Sequence, residues 1–130
     1  MKKISVVAAV IQYENKILCV QRNVAKYDYI SLKYEFPGGK VEQGETPEQA
    51  IIREIREELC MEISVDSYLM TVEHDYPDFS ISLETYICNT VTPALTLVEH
   101  IDYKWLDASD LQTLDWAAAD QPIVEELQKR

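Results

Sequence analysis

Three glutamates in the middle of the chain have the spacing of neighbours on one face of a helix. Glu54, Glu57 and Glu58 stand at positions i, i+3 and i+4, and side chains at these spacings meet on a helix surface. Their like charges repel, and Arg53 can relieve that repulsion at Glu57 but not at all three. Carboxylate oxygens are also the ligands that Mg²⁺ takes. The pattern therefore indicates either a solvated acidic face or a site for divalent cations that bridge to substrate phosphates.

A helix must present these carboxylates, and the sequence marks where it starts. Thr46 is a good N-cap, Pro47 suits the first helical position, and Gln49 completes a capping box. We predict a helix over residues 47–59. The stripe beside the glutamates is apolar, suited to packing on a sheet, and consists of Ile51, Ile52, Ile55 and Leu59.

Two of the three glycines in the chain precede this helix, in the segment 36–39. Paired glycines after a proline predict a special turn. Because glycine lets the backbone approach other groups closely, the carbonyl oxygen of Gly38 can act as a ligand beside the glutamates.

The stretch 39–61 resembles the Nudix box, written G-x5-E-x7-R-E-U-x-E-E-x-G-U with U for an aliphatic residue. Gly39, Glu45 and the run 53–58 satisfy every specified position up to Glu58. Cys60 then stands where the family usually has glycine, at a helix end where a left-handed residue is common. We expect Cys60 to be a small buried residue that alters the local geometry rather than the chemistry.

The resemblance implies Mg²⁺-dependent hydrolysis of a nucleoside triphosphate to the monophosphate and pyrophosphate, with Mn²⁺ as an alternative metal. It implies that catalysis depends on Arg53, Glu54, Glu57 and Glu58, with Glu54 as the candidate general base. The metal ligands that it implies are Gly38, Glu54, Glu57, Glu58 and, outside the box, Glu99. Arg53 is expected to orient the glutamates through a bidentate pair. Glu45 either holds Arg53 or binds an outer metal.

Beyond the box, the resemblance extends over nearly the whole chain to the MutT branch of the family. That branch includes oxidised-dGTP diphosphatases and CTP pyrophosphohydrolases. The candidate substrate-binding residues are Arg22, Phe36, Lys40, Asp78, Phe79 and Asp120. The cations suit phosphates and the aromatic rings can stack on a base, although either ring can equally belong to the core.

Asp120 is the residue from which we predict the base. It stands where the oxidised-guanine enzymes of this branch carry asparagine, and an ionised aspartate only accepts hydrogen bonds. An acceptor suits the exocyclic amine of cytosine, so we favour (d)CTP or a modified cytosine nucleotide. The competing interpretation is that Asp120 is the N-cap of the last helix.

Other functions are compatible with these residues. An 8-oxo-dGTP diphosphatase keeps the same box, and the short chain disfavours bulkier substrates such as nucleoside diphosphate sugars. A nucleotide-sensing module that does not cleave its ligand is the alternative from another class, but such domains commonly lose box glutamates and all are present here. His74 and His100 have no metal-ligand spacing, and we assign neither to catalysis.

Composition sets the remaining expectations. The chain has 130 residues and a formal net charge of −11, which works against binding a nucleic-acid polymer. The odd number of cysteines, three, without a CxxC pair, favours a reducing cytoplasm over a disulfide framework. Residues 4–11 form an apolar run far too short to span a membrane. We expect one domain, residues 1–130, as a monomer or homodimer.

The predicted elements give a mixed α/β (α+β) sandwich of the Nudix type, in which the catalytic helix and a C-terminal helix pack on a mixed sheet. Residues 4–11 and 17–20 are expected to form a hairpin across a turn at 14–16, followed by a loop over 23–35. Further strands are predicted at 79–84, at 102–106 and, in one or two pieces, within 61–76. Residues 107–110 resemble a cap and first turn, and the last helix is expected over 121–128.

Overall fold

The apolar run near the N-terminus forms the central strand of a mixed sheet. This computed structural model describes residues 2–130. Within them lie seven strands: β1 (Lys3–Tyr13), β2 (Lys16–Gln21), β3 (Tyr34–Glu35), β4 (Gly38–Lys40), β5 (Ser64–Asp75), β6 (Ser80–Asn89) and β7 (Asp102–Leu106). Two helices, α1 (Pro47–Leu59) and α2 (Gln121–Lys129), and two short 3₁₀ helices, Ala108–Thr113 and Ala118–Asp120, complete the fold.

Strand β1 organises the sheet because both of its edges are paired. One edge pairs parallel with β6 over residues 3–12, and β6 in turn pairs antiparallel with β5. The other edge is divided: residues 6–8 pair with β4, and residues 12–13 pair with β2. Strand β2 then carries β3 and β7. This divided edge brings the glycine segment of β4 beside the centre of the sheet.

The two faces of β1 are both buried, which is why its sequence is continuously apolar rather than alternating. Val7, Ala9 and Ile11 share an apolar cluster with Ile51 and Ile55 of α1. The alternate residues, Ala8 and Val10, pack on the opposite face in the cluster that contains the apolar residues of α2. The sheet therefore lies between the two helices, and the predicted sandwich is confirmed.

Helix α1 has the predicted bounds, and its N-terminal cap has the predicted geometry. The backbone N–H of Gln49 donates to Thr46 Oγ1 at 3.1 Å, and the Thr46 N–H donates to Gln49 Oε1 at 2.9 Å. At the other end Cys60 adopts a left-handed conformation, with φ 55° and ψ 36°. Cys60 is exposed, so the expectation that it is buried is wrong: the helix ends at the protein surface there.

The prediction of a turn at Gly38 and Gly39 is wrong, because both residues belong to strand β4. Neither has a positive φ; among the described glycines only Gly44 does. Close approach explains them instead. A Cβ on Gly38 would collide with the carbonyl oxygen of Val7, and a Cβ on Gly39 would collide with the Glu54 carboxylate.

The remaining elements follow the expectations with changes at their ends. The β1–β2 turn contains only Glu14 and Asn15, both with positive φ, as a tight two-residue hairpin requires. The loop predicted over 23–35 ends early, since Tyr34–Glu35 forms β3. The segment 61–76 holds a single bulged strand, β5, and β6 continues past residue 84. Strand β7 has the predicted bounds, and α2 ends at Lys129, one residue later than expected.

None of the helices within residues 2–130 is long and apolar enough to span a membrane.

Candidate active site

Arg53 is the centre of an ion-pair network at the surface of α1. Its Nε and Nη2 donate to the two carboxylate oxygens of Glu45, at 2.6 and 3.0 Å. Its Nη1 donates to Oε1 of Glu54 at 2.8 Å and to Oε1 of Glu57 at 3.0 Å. Its Nη2 also reaches the carbonyl oxygen of Lys40, at 3.1 Å. One guanidinium therefore fixes the helix glutamates relative to the segment that follows β4.

The bidentate pair lies between Arg53 and Glu45, so Glu45 makes the contact expected of the first of its two predicted roles, that of holding Arg53. The Arg53 hydrogen bonds hold the pKa of Glu45 below its ordinary value. The same pairing, with contributions from Glu54 and Glu42, raises the pKa of Arg53 above its already high value. Arg53 thus stays charged at any pH at which the protein is folded.

Glu58 differs from Glu54 and Glu57, which both pair with Arg53. Its Oε2 is buried and makes no hydrogen bond to the residues that the structure describes. Burial raises the pKa of Glu58 to about 7; Glu54, Glu35 and Glu99 add to the rise, and His100 opposes it. A carboxyl group poised at neutrality and facing other carboxylates is a common mark of a functional site.

The oxygen-rich donor set fits a hard divalent cation. Arg53 engages Oε1 of both Glu54 and Glu57, which leaves the second oxygen of each carboxylate for another partner. The Glu54 carboxylate lies against Gly39, where no side chain would fit. Within residues 2–130 no three acidic, histidine or cysteine side chains already converge on one point. The carboxylates are therefore neighbours, held by Arg53 rather than preassembled as a cage.

A cavity of about 560 Å³ extends from this acidic cluster across the sheet. Eight of the predicted site residues line it: Arg22, Phe36, Gly38, Lys40, Glu58, Phe79, Glu99 and Asp120. Arg53, Glu54 and Glu57 stand beside its acidic end rather than in its wall. Asp78 lies outside it, in an adjoining pocket, where its Oδ2 accepts a hydrogen bond from the Tyr29 hydroxyl at 2.8 Å.

Asp120 lines the same cavity, in the part of its wall that Phe36 and Tyr76 also form. Asp120 holds the N-cap position of α2, as the competing interpretation expects, but its side chain makes no capping hydrogen bond. Its Oδ1 instead accepts a hydrogen bond from the backbone N–H of Phe36 at 3.1 Å. The Phe36 ring stacks on Trp116 with its centroid 4.6 Å away.

Burial changes what Asp120 can offer a ligand. Only 6% of the residue is exposed, and burial, with the charge of Glu35 adding to it, raises the pKa of Asp120 well above its ordinary value. The Phe36 N–H and Arg22 oppose that rise. Burial therefore works against the ionised, purely accepting Asp120 that the sequence led us to expect, and towards the neutral acid, which both donates and accepts.

Two residues that the sequence analysis did not assign join the cavity wall. Glu35 bridges Arg22, at 3.2 Å from its Nη1, and His100, at 2.9 Å from its Nε2. Only 7% of the His100 side chain is exposed, and its Nδ1 is buried without a partner in the described chain. Glu35 stands between two large aromatic residues, Tyr34 and Phe36, which are buried. A charged residue between two aromatic residues was only a weak indication that Glu35 lines a site. Nothing in the spacing of His100 indicated its position.

Comparisons with known proteins identify the family of this chain. A model of the NUDIX domain matches residues 1–127. The chain is 31% identical over 129 residues to the 8-oxo-dGTP diphosphatase of Escherichia coli K12, covering 99% of each chain. It is 37% identical over 125 residues to the CTP pyrophosphohydrolase of the same organism, covering 96% of this chain and 91% of that one. The solution NMR structure of MutT from methicillin-resistant Staphylococcus aureus 252, a Nudix family hydrolase, superposes with a TM-score of 0.76 and 42% identity over 99% of this chain and 98% of that one.

Proposed function

This chain belongs to the Nudix family of hydrolases, and from that premise we propose that it cleaves (d)CTP or a modified cytosine nucleotide, with Mg²⁺, to the monophosphate and pyrophosphate. Its relatives act on nucleoside triphosphates, as the names 8-oxo-dGTP diphosphatase and CTP pyrophosphohydrolase state. The observation that carries the choice of substrate is the buried Asp120 carboxyl group in the wall of the cavity that Glu58 also lines.

The acidic end is where the phosphates and the metal would bind. The carbonyl oxygen of Gly38 and the carboxylates of Glu54, Glu57, Glu58 and Glu99 would hold the divalent cation. When bound, such a cation supplies charge neutralisation for the triphosphate and acidity for the attacking water. Lys40, exposed at the rim of the cavity, and Arg22 would contact phosphate oxygens.

The protein residues at this end would accept a proton and hold the catalytic groups in place. In the hydrolysis, a water oxygen bonds to phosphorus, the α–β phosphoanhydride bond breaks, and the freed phosphate oxygen leaves with the bonding electrons. Glu54 would accept the proton of the attacking water, since its carboxylate is fixed by Arg53 Nη1 at 2.8 Å. Arg53 would act by holding the glutamates and not by touching the substrate.

The other end of the cavity would read the base. A neutral Asp120 presents one acceptor and one donor, which match the adjacent N4–H and N3 of cytosine. The half-buried ring of Phe79 lines the same cavity and offers a face for stacking. Phe36 is only 3% exposed, and its ring stacks on Trp116. It therefore forms the floor of the cavity and offers no free face for stacking on a base.

A second candidate substrate is 8-oxo-dGTP, and the same residue favours it in its other protonation state. An ionised Asp120 would offer two acceptors, which match the adjacent N1–H and N2–H of a guanine base. The state of Asp120 in the complex therefore decides between the two proposals.

The test is a substrate panel of the four dNTPs, the four NTPs and their oxidised and methylated forms, assayed for pyrophosphate with Mg²⁺. We expect the cytosine nucleotides to give the highest kcat/KM. Glu57→Gln and Glu58→Gln should lower the rate by orders of magnitude, as removal of groups that position charge in a reacting site does. Glu62→Gln is the matched control, since Glu62 is an exposed glutamate that pairs with Arg56.

Each contrary result has a defined meaning. Full activity in both glutamine variants would contradict the assignment of Glu57 and Glu58 to the active site. A preference for 8-oxo-dGTP would contradict the cytosine proposal and support the second candidate substrate. Tight binding with no turnover, measured by calorimetry, would make the chain a nucleotide sensor.

A further inference from the structure

Tyr76 stands next to Asp120 in the wall of the cavity and has no role in the proposed hydrolysis. It is 6% exposed and lines the cavity with Phe36, Phe79 and Asp120. Its ring is fixed on two sides: it stacks with Tyr29 at a centroid distance of 5.2 Å, and it contacts Phe79 at 5.2 Å. The direction of its hydroxyl group is therefore set by packing.

The Tyr76 hydroxyl uses one of its two hydrogen-bonding roles within the protein. Its oxygen accepts the backbone N–H of Ala119 at 3.0 Å, which ties the residue before Asp120 to the wall. None of residues 2–130 accepts the hydroxyl proton. Burial raises the pKa of Tyr76, and Asp120 and Glu35 add to the rise, so the proton is retained at neutral pH.

A buried donor without an acceptor costs free energy, and here the donor is beside a buried carboxyl group. The Phe36 N–H fixes Asp120 from one side, and Tyr76, through Ala119, fixes the backbone from the other. The cavity wall thus brings together two rigid polar groups, Asp120 and the Tyr76 hydroxyl, at the end where the base would lie.

We infer that Tyr76 is a specificity-determining residue whose hydroxyl group donates a hydrogen bond to an oxygen or ring nitrogen on the base edge that Asp120 also contacts. The inference rests on the proposed function, since it assumes that a nucleobase enters this end. It assigns the substrate class further: a base with an acceptor atom beside the group that Asp120 binds. In cytosine, where Asp120 would bind N4–H and N3, the remaining acceptor is O2.

The simpler alternative is that the hydroxyl only anchors Ala119. Anchoring alone would affect every base alike, since it acts through the backbone of the wall. A hydrogen bond to the base would instead change the discrimination between bases. The ratio of kcat/KM for the preferred nucleotide to kcat/KM for the other bases on the same sugar triphosphate separates the two roles.

Tyr76→Phe is the variant that tests this, because it keeps the ring and removes only the oxygen. Tyr86→Phe is its matched control: Tyr86 is 8% exposed, its hydroxyl donates one hydrogen bond, to Glu84 at 3.0 Å, and it packs in the cluster that contains α1. We expect Tyr76→Phe to raise KM, to leave kcat nearly unchanged and to lower the base-selectivity ratio by about 3- to 10-fold, as one uncharged hydrogen bond does. Tyr86→Phe should leave KM and the ratio unchanged.

A second measurement keeps this test apart from hydrolysis. The affinity of each variant for CMP without metal, measured by calorimetry, should fall by about 3- to 10-fold in Tyr76→Phe only. An unchanged ratio and an unchanged CMP affinity, or an equal loss for all bases, would overturn the inference while the wild-type enzyme still hydrolyses its substrate. A wild-type protein that neither hydrolyses nor binds any nucleotide would overturn the proposed function first.

Discussion

The two ends of the cavity are built on opposite principles. At the acidic end, the carboxylates of Glu45, Glu54 and Glu57 remain partly solvated and are held by ion pairs to one guanidinium, that of Arg53. At the other end, Asp120 and Tyr76 are almost fully buried and are fixed by backbone N–H groups. Burial favours their neutral forms. Charge at one end suits phosphates and cations, and neutral donors and acceptors at the other suit the edge of a base.

The largest effect should come from loosening the acidic end without changing its charge. Arg53→Lys keeps the cation, but a lysine cannot bridge Glu45, Glu54 and Glu57 at once. We expect kcat to fall about 100-fold, because misplacement of a catalytic group by roughly 1 Å costs that much. The measurement is pyrophosphate release at saturating Mg²⁺.

The control for Arg53→Lys lies on the same helix. Arg56 makes two hydrogen bonds to the exposed Glu62, at 2.8 and 2.9 Å, and Arg56→Lys should keep nearly full activity. Similar losses of kcat in both variants would mean that Arg53 acts only through the stability of α1.

The next effect is the pH dependence of metal binding. Burial raises the pKa of Glu58 to about 7, and a metal ligand must lose its proton to bind. Below that pKa, cation affinity should therefore fall roughly tenfold per pH unit, and above it the affinity should level off. Calorimetric Mg²⁺ titrations between about pH 6 and about pH 8 measure the slope, and Glu58→Gln should flatten it. A wild-type slope that survives in Glu58→Gln would assign the proton to another group.

The sequence predicted helix α1 and its cap well because the residues that define them are close together along the chain. The capping box and the helical spacing of Glu54 and Glu58 are local patterns, and the continuous apolar run of β1 and the amphipathic periodicity of α1 predicted a helix packed on a buried strand. The base end is assembled from residues far apart in sequence, such as Phe36, Tyr76 and Asp120, whose contacts depend on how β5 and the segment before α2 meet. Local pattern could not show that Asp120 bonds to Phe36 rather than to its own helix.

The charged middle of the cavity was missed for a related reason. Glu35 and His100 are 65 residues apart, and their contact at 2.9 Å exists only because β3 and the segment before β7 flank the same strand, β2. The Gly38–Gly39 pair was recognised as special, but its cause was close packing against Val7 and Glu54. A sequence reports that glycine is needed without saying whether a turn or a close contact needs it.

The base end should show its neutral state through protein stability. The folded-state pKa of Asp120 is raised, so between about pH 4, its unfolded value, and that raised pKa the folded protein binds more protons than the unfolded one. Stability contributed by this group is therefore lost as the pH rises through that window. Thermal unfolding should show Asp120→Asn gaining stability relative to wild type as the pH increases, while Asp115→Asn, at an exposed aspartate, follows wild type. A constant difference between Asp120→Asn and wild type would mean that Asp120 is ionised in the fold.

The smallest effect separates helix stability from chemistry at the acidic end. Cys60 ends α1 in a left-handed conformation, φ 55° and ψ 36°, which costs a residue with a Cβ roughly 1 kcal/mol more than glycine. Cys60→Gly should therefore raise the free energy of unfolding by up to about 1 kcal/mol, measured by urea denaturation, with kcat and KM unchanged. Cys60→Ala keeps the Cβ, so it should leave that free energy near the wild-type value. Since Cys60 is exposed and bonds only through its backbone N–H to Arg56, a change in kcat in Cys60→Gly would show that the end of α1 positions Glu57 and Glu58 after all.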